Sequence, residues 1–324
     1  MTLKYFLTVI LTLGLCAAIA RAQEFSVAQT KIFAPQNKKI LLLTDATDPT
    51  GERSVILFQT NLRVNTDGSP LSYHLQDLRG RNKALNNICN AIVVRRINSE
   101  KNLCFTAFGE AIHAFEQYRD SNFQTVPSGL RIVWNKVLAT TTTQNGSDIP
   151  CTFRSGEFKG YFGSLTALTN GLTTNKGECD VNNQVNPMTV PALVLAGGPH
   201  PVKEFGAKVG DLLLAFNPKT QLFTSAIIGD TGPPDNLGEG SVSLNKKLLG
   251  ATTPPTNKLE TFRLSIADTK VLIAIIPGSH LFRVAKPYTA ENIDQRLTDW
   301  RTQAGFTTPE KLIEMMKSFQ ARLN

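Results

Sequence analysis

Between residues 189 and 279 the chain returns again and again to short apolar runs cut off by glycine, proline or an Asp/Asn residue: TVPALVLAG, GDLLLAFN, QLFTSAIIGD and KVLIAIIPGS. Such runs read as β-strands. A dense succession of them with glycine and proline between restricts the chain to a β-barrel or a β-sandwich. LETFRLSI, which follows a proline- and threonine-rich loop at 251–257, is expected to add a further strand.

The period changes at the C-terminus. Thr289 can cap a helix that places Ile293, Leu297 and Trp300 on one face, and Thr308 with Pro309 starts a second helix carrying Leu312, Met315, Met316 and Phe319. These side chains suit packing against a β core. Upstream, residues 23–54 mix short apolar runs such as KILLLT with turns, as expected of an N-terminal strand and loop segment. RSVILFQTNLRVNTDGSPLSYH then predicts two strands in a hairpin turning at Asp67 and Gly68. From about 75 to 155 the pattern is irregular: CNAIVVRRI and GLRIVWNKVLAT suggest strands, FGEAIHAFEQYRD a helix, and TTTTQNGSD a surface loop. The expected organisation is a leader at 1–22, an N-terminal segment at 23–54, a β-rich domain at 55–288 with an insertion at about 75–155, and helices at 289–324.

MTLKYFLTVILTLGLCAAIARA has an early lysine, a short apolar run and a small-x-small ending at Ala20 and Ala22, the pattern of a secretory signal peptide. A lipoprotein anchor on Cys16 is disfavoured because Leu15 stands where a small residue is needed. The expectation is a secreted monomer, extracellular or periplasmic, with no membrane attachment after cleavage. Loss of Lys4 and Arg21 with the leader lowers the formal net charge from +8 to +6. A chain this basic is drawn to anionic surfaces, and export favours wall polymer over nucleic acid, for which no basic repeat with interleaved aromatics is present. The remaining cysteines, Cys89, Cys104, Cys151 and Cys179, suggest two disulfides. Three connectivities are open, Cys89 with Cys104 and Cys151 with Cys179 being the most local. A zinc site is disfavoured, since no close cysteine pair and no nearby histidine pair occurs. His113, His200 and His280 form no metal or triad pattern, and neither metal nor organic cofactor is expected.

The stretch AIIGDTGPPDNLGEGS carries Asp230 at the end of an apolar run and Glu239 among glycines. The strand should end at Gly229, leaving Asp230 at the sheet rim. The prolines and glycines force a loop, and Ser241 should cap a helix that Gly250 stops, placing Glu239 just before that helix. Two acids held by a stiff loop can divide the work of glycoside hydrolysis, one protonating the leaving oxygen and the other activating water. Their structural alternative is a turn acceptor for Asp230 and a favourable helix-dipole position for Glu239.

VPALVL, VGDLLLAF, SAIIGDTGPPDNLGEGSVSLNKKLLG and IIPGS before PYTAENID, with the weaker pieces VNTDGSPLSYH and GYFGSLTAL, resemble in order the motifs of glycoside hydrolase family 75, the fungal-type chitosanases and their bacterial relatives. The resemblance spans about residues 55–295 discontinuously, and GD-x-GP followed by GEGS is its specific part. It implies a double-psi type barrel and endo-hydrolysis of a β-1,4-linked amino-sugar polymer with inversion, Asp230 acting as general acid and Glu239 as general base. Asp67, Tyr73 and His74 from one motif, and Tyr161, Ser164 and Thr166 from another, are the candidate substrate contacts. Asn65 stands where relatives commonly have an acid, and the insertion has no counterpart in the fungal enzymes. A wall-binding protein without turnover, and a lytic enzyme that cleaves glycan with a single acid, are the alternative functions.

Overall fold

The structure is a computed structural model that describes residues 24–48, 53–135, 137–144, 146 and 148–324. The leader at 1–22 lies outside the described residues. The strands are β1 Phe25–Phe33, β2 Lys38–Asp45, β3 Ser54–Asn65, β4 Ile92–Arg96, β5 Leu130–Trp134, β6 Thr140–Thr142, β7 Asp148–Pro150, β8 Ala192–Leu195, β9 Leu212–Asn217, β10 Leu222–Thr231, β11 Glu239–Ser241 and β12 Ile266–Ile275. The helices are α1 Leu103–Thr106, α2 Phe108–Asp120, α3 Pro201–Glu204, α4 Val242–Leu249, α5 Lys258–Arg263, α6 Ala290–Gln303 and α7 Pro309–Ser318.

Six strands close into a barrel in the order β3-β11-β8-β10-β9-β12, with β12 pairing back onto β3. β3 with β11 and β8 with β10 are parallel; the other barrel pairs are antiparallel. The N-terminal segment adds two strands outside the ring, an antiparallel β1–β2 hairpin whose second strand pairs with the first half of β3.

The barrel strands are continuous apolar runs because both of their faces are buried. On β9, Leu213 and Ala215 join Phe58, Leu193, Ile228 and Ile273 in the interior, where α3 and α4 add Val202, Leu244 and Leu248. The alternate residues Leu212, Leu214 and Phe216 face outward and meet Ile293, Leu297 and Trp300 of α6 and Leu312 and Met316 of α7. Each such aliphatic side chain, fully buried, contributes about 1.5–3 kcal/mol. Both expected C-terminal helices are present, and the Thr289 side chain accepts from Asn292 N at 3.2 Å.

Three local expectations are corrected. LETFR forms α5, capped by the Asn257 side chain accepting from Glu260 N at 3.1 Å, and the strand begins only at Ile266. Asp67 and Gly68 do not turn a hairpin: β3 ends at Asn65, and the following segment makes one isolated bridge, His74 to Tyr161. The TTTTQNGSD region carries the short β6–β7 pair.

The insertion has its own core of Ile92, Val94, Leu103, Ile112, Phe115 and Phe162 around α1, α2 and the β4–β5 pair. Cys89 is bonded to Cys104 and Cys151 to Cys179, with Cα–Cα distances of 5.4 and 5.7 Å. Disulfides of this kind point to an oxidising, extracellular-type environment. Among the described residues no helix is long and apolar enough to cross a membrane.

Candidate active site

β10 and β8 are out of step by one residue. Ile228 pairs with Leu193, but Asp230 pairs with Val194, so Gly229 is a β-bulge. Paired residues point to the same side of a sheet and neighbours alternate. Ile228 and Leu193 point into the barrel; the bulge therefore turns Asp230 outward with Val194, where strict alternation would have sent it inward. β10 also runs on to Thr231, past the expected end at Gly229.

Glu239 reaches the same face from the other side. It lies in β11, a strand that sequence reasoning read as loop, and it too pairs with Val194. Ser241 then caps α4, its Oγ accepting from Leu244 N at 3.1 Å. Asp230 and Glu239 thus flank Val194 two inter-strand spacings apart, about 9.5 Å at the backbone. Gly238, at φ 139°, makes the tight entry into β11, and a Cβ there would lie 2.4 Å from the Asn61 carbonyl oxygen.

Asp67 is the third carboxyl. Its Oδ1 accepts from Tyr73 Oη at 2.6 Å, and its backbone N–H donates to Asn65 Oδ1 at 2.8 Å. Asn65 Nδ2 donates to Glu239 Oε2 at 3.1 Å, so one amide ties Asp67 to Glu239. Asn236 Nδ2 supplies the other Glu239 oxygen at 2.6 Å. Asp230 Oδ1 accepts from the backbone of Ala167 at 2.9 Å and of Thr231 at 2.8 Å. Asp67, Thr166 and Asp230 line a cavity of about 10 Å³, close to the room one water needs.

Burial and neighbouring charge act together on Asp67 and Asp230. Burial pushes Asp67 up to about 7; the Tyr73 hydrogen bond opposes this, and the charges of Asp230 and Glu239 add to it. Burial likewise pushes Asp230 up to about 6, against its two backbone hydrogen bonds and with the help of Glu239. Burial holds Tyr73 well above the ordinary phenol range, so it remains a donor. Among the described residues no three His, Cys, Asp or Glu side chains are grouped to hold a metal ion.

The other candidates divide. Thr166 stands at the cavity, donating to Leu168 O at 2.6 Å. Ser164 is buried and accepts from Gly68 N at 2.9 Å, bringing the GYFGSLTAL motif onto the Asp67 turn. Gly68, at φ 93°, is required there, since a Cβ would sit 2.2 Å from Thr166 Cγ2. Tyr73 is fully buried and supports Asp67 from below. His74 and Tyr161 stack edge to face at 4.6 Å away from the carboxyls, and His74 lines a cleft of the inserted lobe.

Two residues of the N-terminal hairpin, unforeseen in the sequence, hold the acid loop. Gln36 Oε1 accepts from Leu237 N at 2.9 Å and its Nε2 donates to Asn236 Oδ1 at 3.0 Å. Lys38 Nζ bonds Thr60 Oγ1 and Leu237 O, each at 2.5 Å, and burial lowers it to about 8, Lys270 adding to the fall. No local pattern marks contacts made across some two hundred residues.

No family profile matches this chain, and no curated protein matches it.

Proposed function

We propose that the chain is a glycoside hydrolase of the family 75 type, cleaving a β-1,4-linked amino-sugar polymer with inversion. The observation that carries this reading is the placement of Asp230 and Glu239 on one outward face, both registered on Val194. Inverting sites hold their carboxyls roughly 6.5–9.5 Å apart, and two inter-strand spacings, about 9.5 Å at the backbone, are compatible with that range.

Asp230, raised to about 6 by burial, holds a proton into the mildly acidic range and delivers it to the glycosidic oxygen. Glu239, oriented by Asn65 and Asn236, takes a proton from water as the water oxygen attacks the anomeric carbon. The C–O bond breaks, the leaving sugar keeps the proton from Asp230, and the anomeric centre inverts. Asp67 and Tyr73 act as positioning residues for the pair.

The test is product release from partly acetylated chitosan and from purified peptidoglycan. Asp230→Asn and Glu239→Gln should each lower turnover by about 10²–10⁴, and wild-type turnover should fall as pH rises through about 6. Undiminished activity in Asp230→Asn would end the hydrolase reading. Activity lost in Asp230→Asn and kept in Glu239→Gln would indicate single-acid lytic cleavage. No product from either polymer, with retention on wall material, would indicate a binding protein.

A further inference from the structure

The chemistry above leaves the inserted lobe without a role, although its surface is cut by an open cleft of about 1270 Å³. None of the three carboxyls of the candidate active site lines it. Its charged residues are Lys83, Arg119, Arg154, Lys159, Glu116 and Asp120. Arg119 and Asp120 neutralise one another, Nη2 to Oδ1 at 2.8 Å, and Glu116 stands 3.7 Å from His113. Lys83, Arg154 and Lys159 are exposed and, among the described residues, make no ion pair. His74 on the same wall is held below its ordinary pKa, by burial first and then by Lys83. With Arg119 and Asp120 paired, Lys83, Arg154 and Lys159 outnumber Glu116, and the cleft carries net positive charge.

A second depression of about 530 Å³ adjoins the cleft, and Ile149, Thr152, Phe153 and Arg154 line both. Lys176, which makes no ion pair among the described residues, adds another cation there, opposed by the charge of Asp180, whose Oδ1 accepts from Asn182 N at 3.0 Å. Arg154 sits where the two meet. The Cys151–Cys179 disulfide joins the walls of the second depression, so the trough is preformed and loses little freedom on binding.

We infer that this trough binds an acidic glycan chain through its carboxylate or phosphate groups. A guanidinium at the centre offers a two-pronged donor for either anion, with ammonium groups to either side. The half-buried Phe153 ring and the polar walls suit sugar rings and hydroxyls. Single-stranded nucleic acid wants successive free aromatic platforms, whereas Phe123 of the lining is packed against Phe115, Tyr118, Trp134 and Phe162, and Phe153 lies against Phe158. The site does not depend on hydrolysis: it would anchor the protein to an acidic polymer whether or not Asp230 and Glu239 turn anything over.

The experiment measures equilibrium binding of the full chain to labelled polygalacturonate, poly(glycerol phosphate), neutral dextran and a single-stranded oligonucleotide, at low and high salt. The expected result is salt-sensitive binding to at least one acidic polymer and none to dextran; the tighter of the two identifies carboxylate or phosphate as the natural anion. The Lys83→Gln/Arg154→Gln/Lys159→Gln variant should bind about tenfold more weakly. A Lys247→Gln/Arg263→Gln/Lys270→Gln variant, with the same charge loss elsewhere, should bind as wild type does. Acylation of wild-type lysines supplies a readout free of folding effects, because bound polymer should protect Lys83 and Lys159. Equal losses in both variants, equal binding of dextran, no protection of those lysines, or tighter binding of the oligonucleotide than of either acidic polymer would overturn the inference.

Discussion

Asn65 sits between two carboxyls of the candidate active site, Asp67 and Glu239. As a departure from the motif it casts doubt on the position, yet its side chain bridges Asp67 and Glu239, accepting from one and donating to the other. A carboxylate there could not donate to Glu239. Asp67 in turn carries a stability consequence. Asp67 and Asp230 both have folded values above the unfolded 3.8, so the folded chain keeps protons that the unfolded chain has released. Their contribution is greatest below 3.8 and is lost as pH climbs through about 6 and 7. Asp67→Asn retains an acceptor for Tyr73 and removes one titration. The variant should gain melting temperature over wild type increasingly from pH 5 to pH 8, by about 2–4 °C for each kcal/mol recovered. A difference that does not change with pH would rule out this coupling.

Elements whose signals are local were legible. FGEAIHAFEQYRD forms α2 over Phe108–Asp120, and Thr289, Ser241 and Gly250 bound their helices as capping chemistry requires. β11 was not legible, because Glu239–Ser241 has neither length nor strand-forming residues; it is extended because β3 and β8 pair with it on both sides. The same holds for the clamp. Lys38→Met keeps the stem and removes the bonds to Thr60 and Leu237, which should cost about 1–3 kcal/mol. The loop at 232–238 should then be cut faster in limited proteolysis, with turnover reduced while the circular dichroism spectrum is kept. Unchanged cleavage of that loop would show that Gln36 alone suffices.

For the whole molecule, the sequence pattern indicates a β core and covering helices but not how the ring closes, since closure rests on pairings such as Glu239 with Arg63 and Leu272 with Gln59. The inserted lobe has its own apolar cluster, joined by Tyr73 and Phe162 from the flanking chain, and the Cys89–Cys104 link across 15 residues. Replacing both cysteines by serine should destabilise the lobe by about 3 kcal/mol. Calorimetry should then show an early transition for the lobe ahead of the barrel; one transition, shifted as a unit, would show that lobe and barrel melt together.

The bulge at Gly229 bears on how relatives of this chain should be compared. If residue 229 took a regular place opposite Val194, Asp230 would move on to pair with Leu195 and turn into the apolar interior, although both acids would still align. Substitutions elsewhere in β10 leave that orientation alone. The orientation of Asp230 therefore rests on the bulge at Gly229, so homologues with matching acids should be compared first at the residue that precedes the acid.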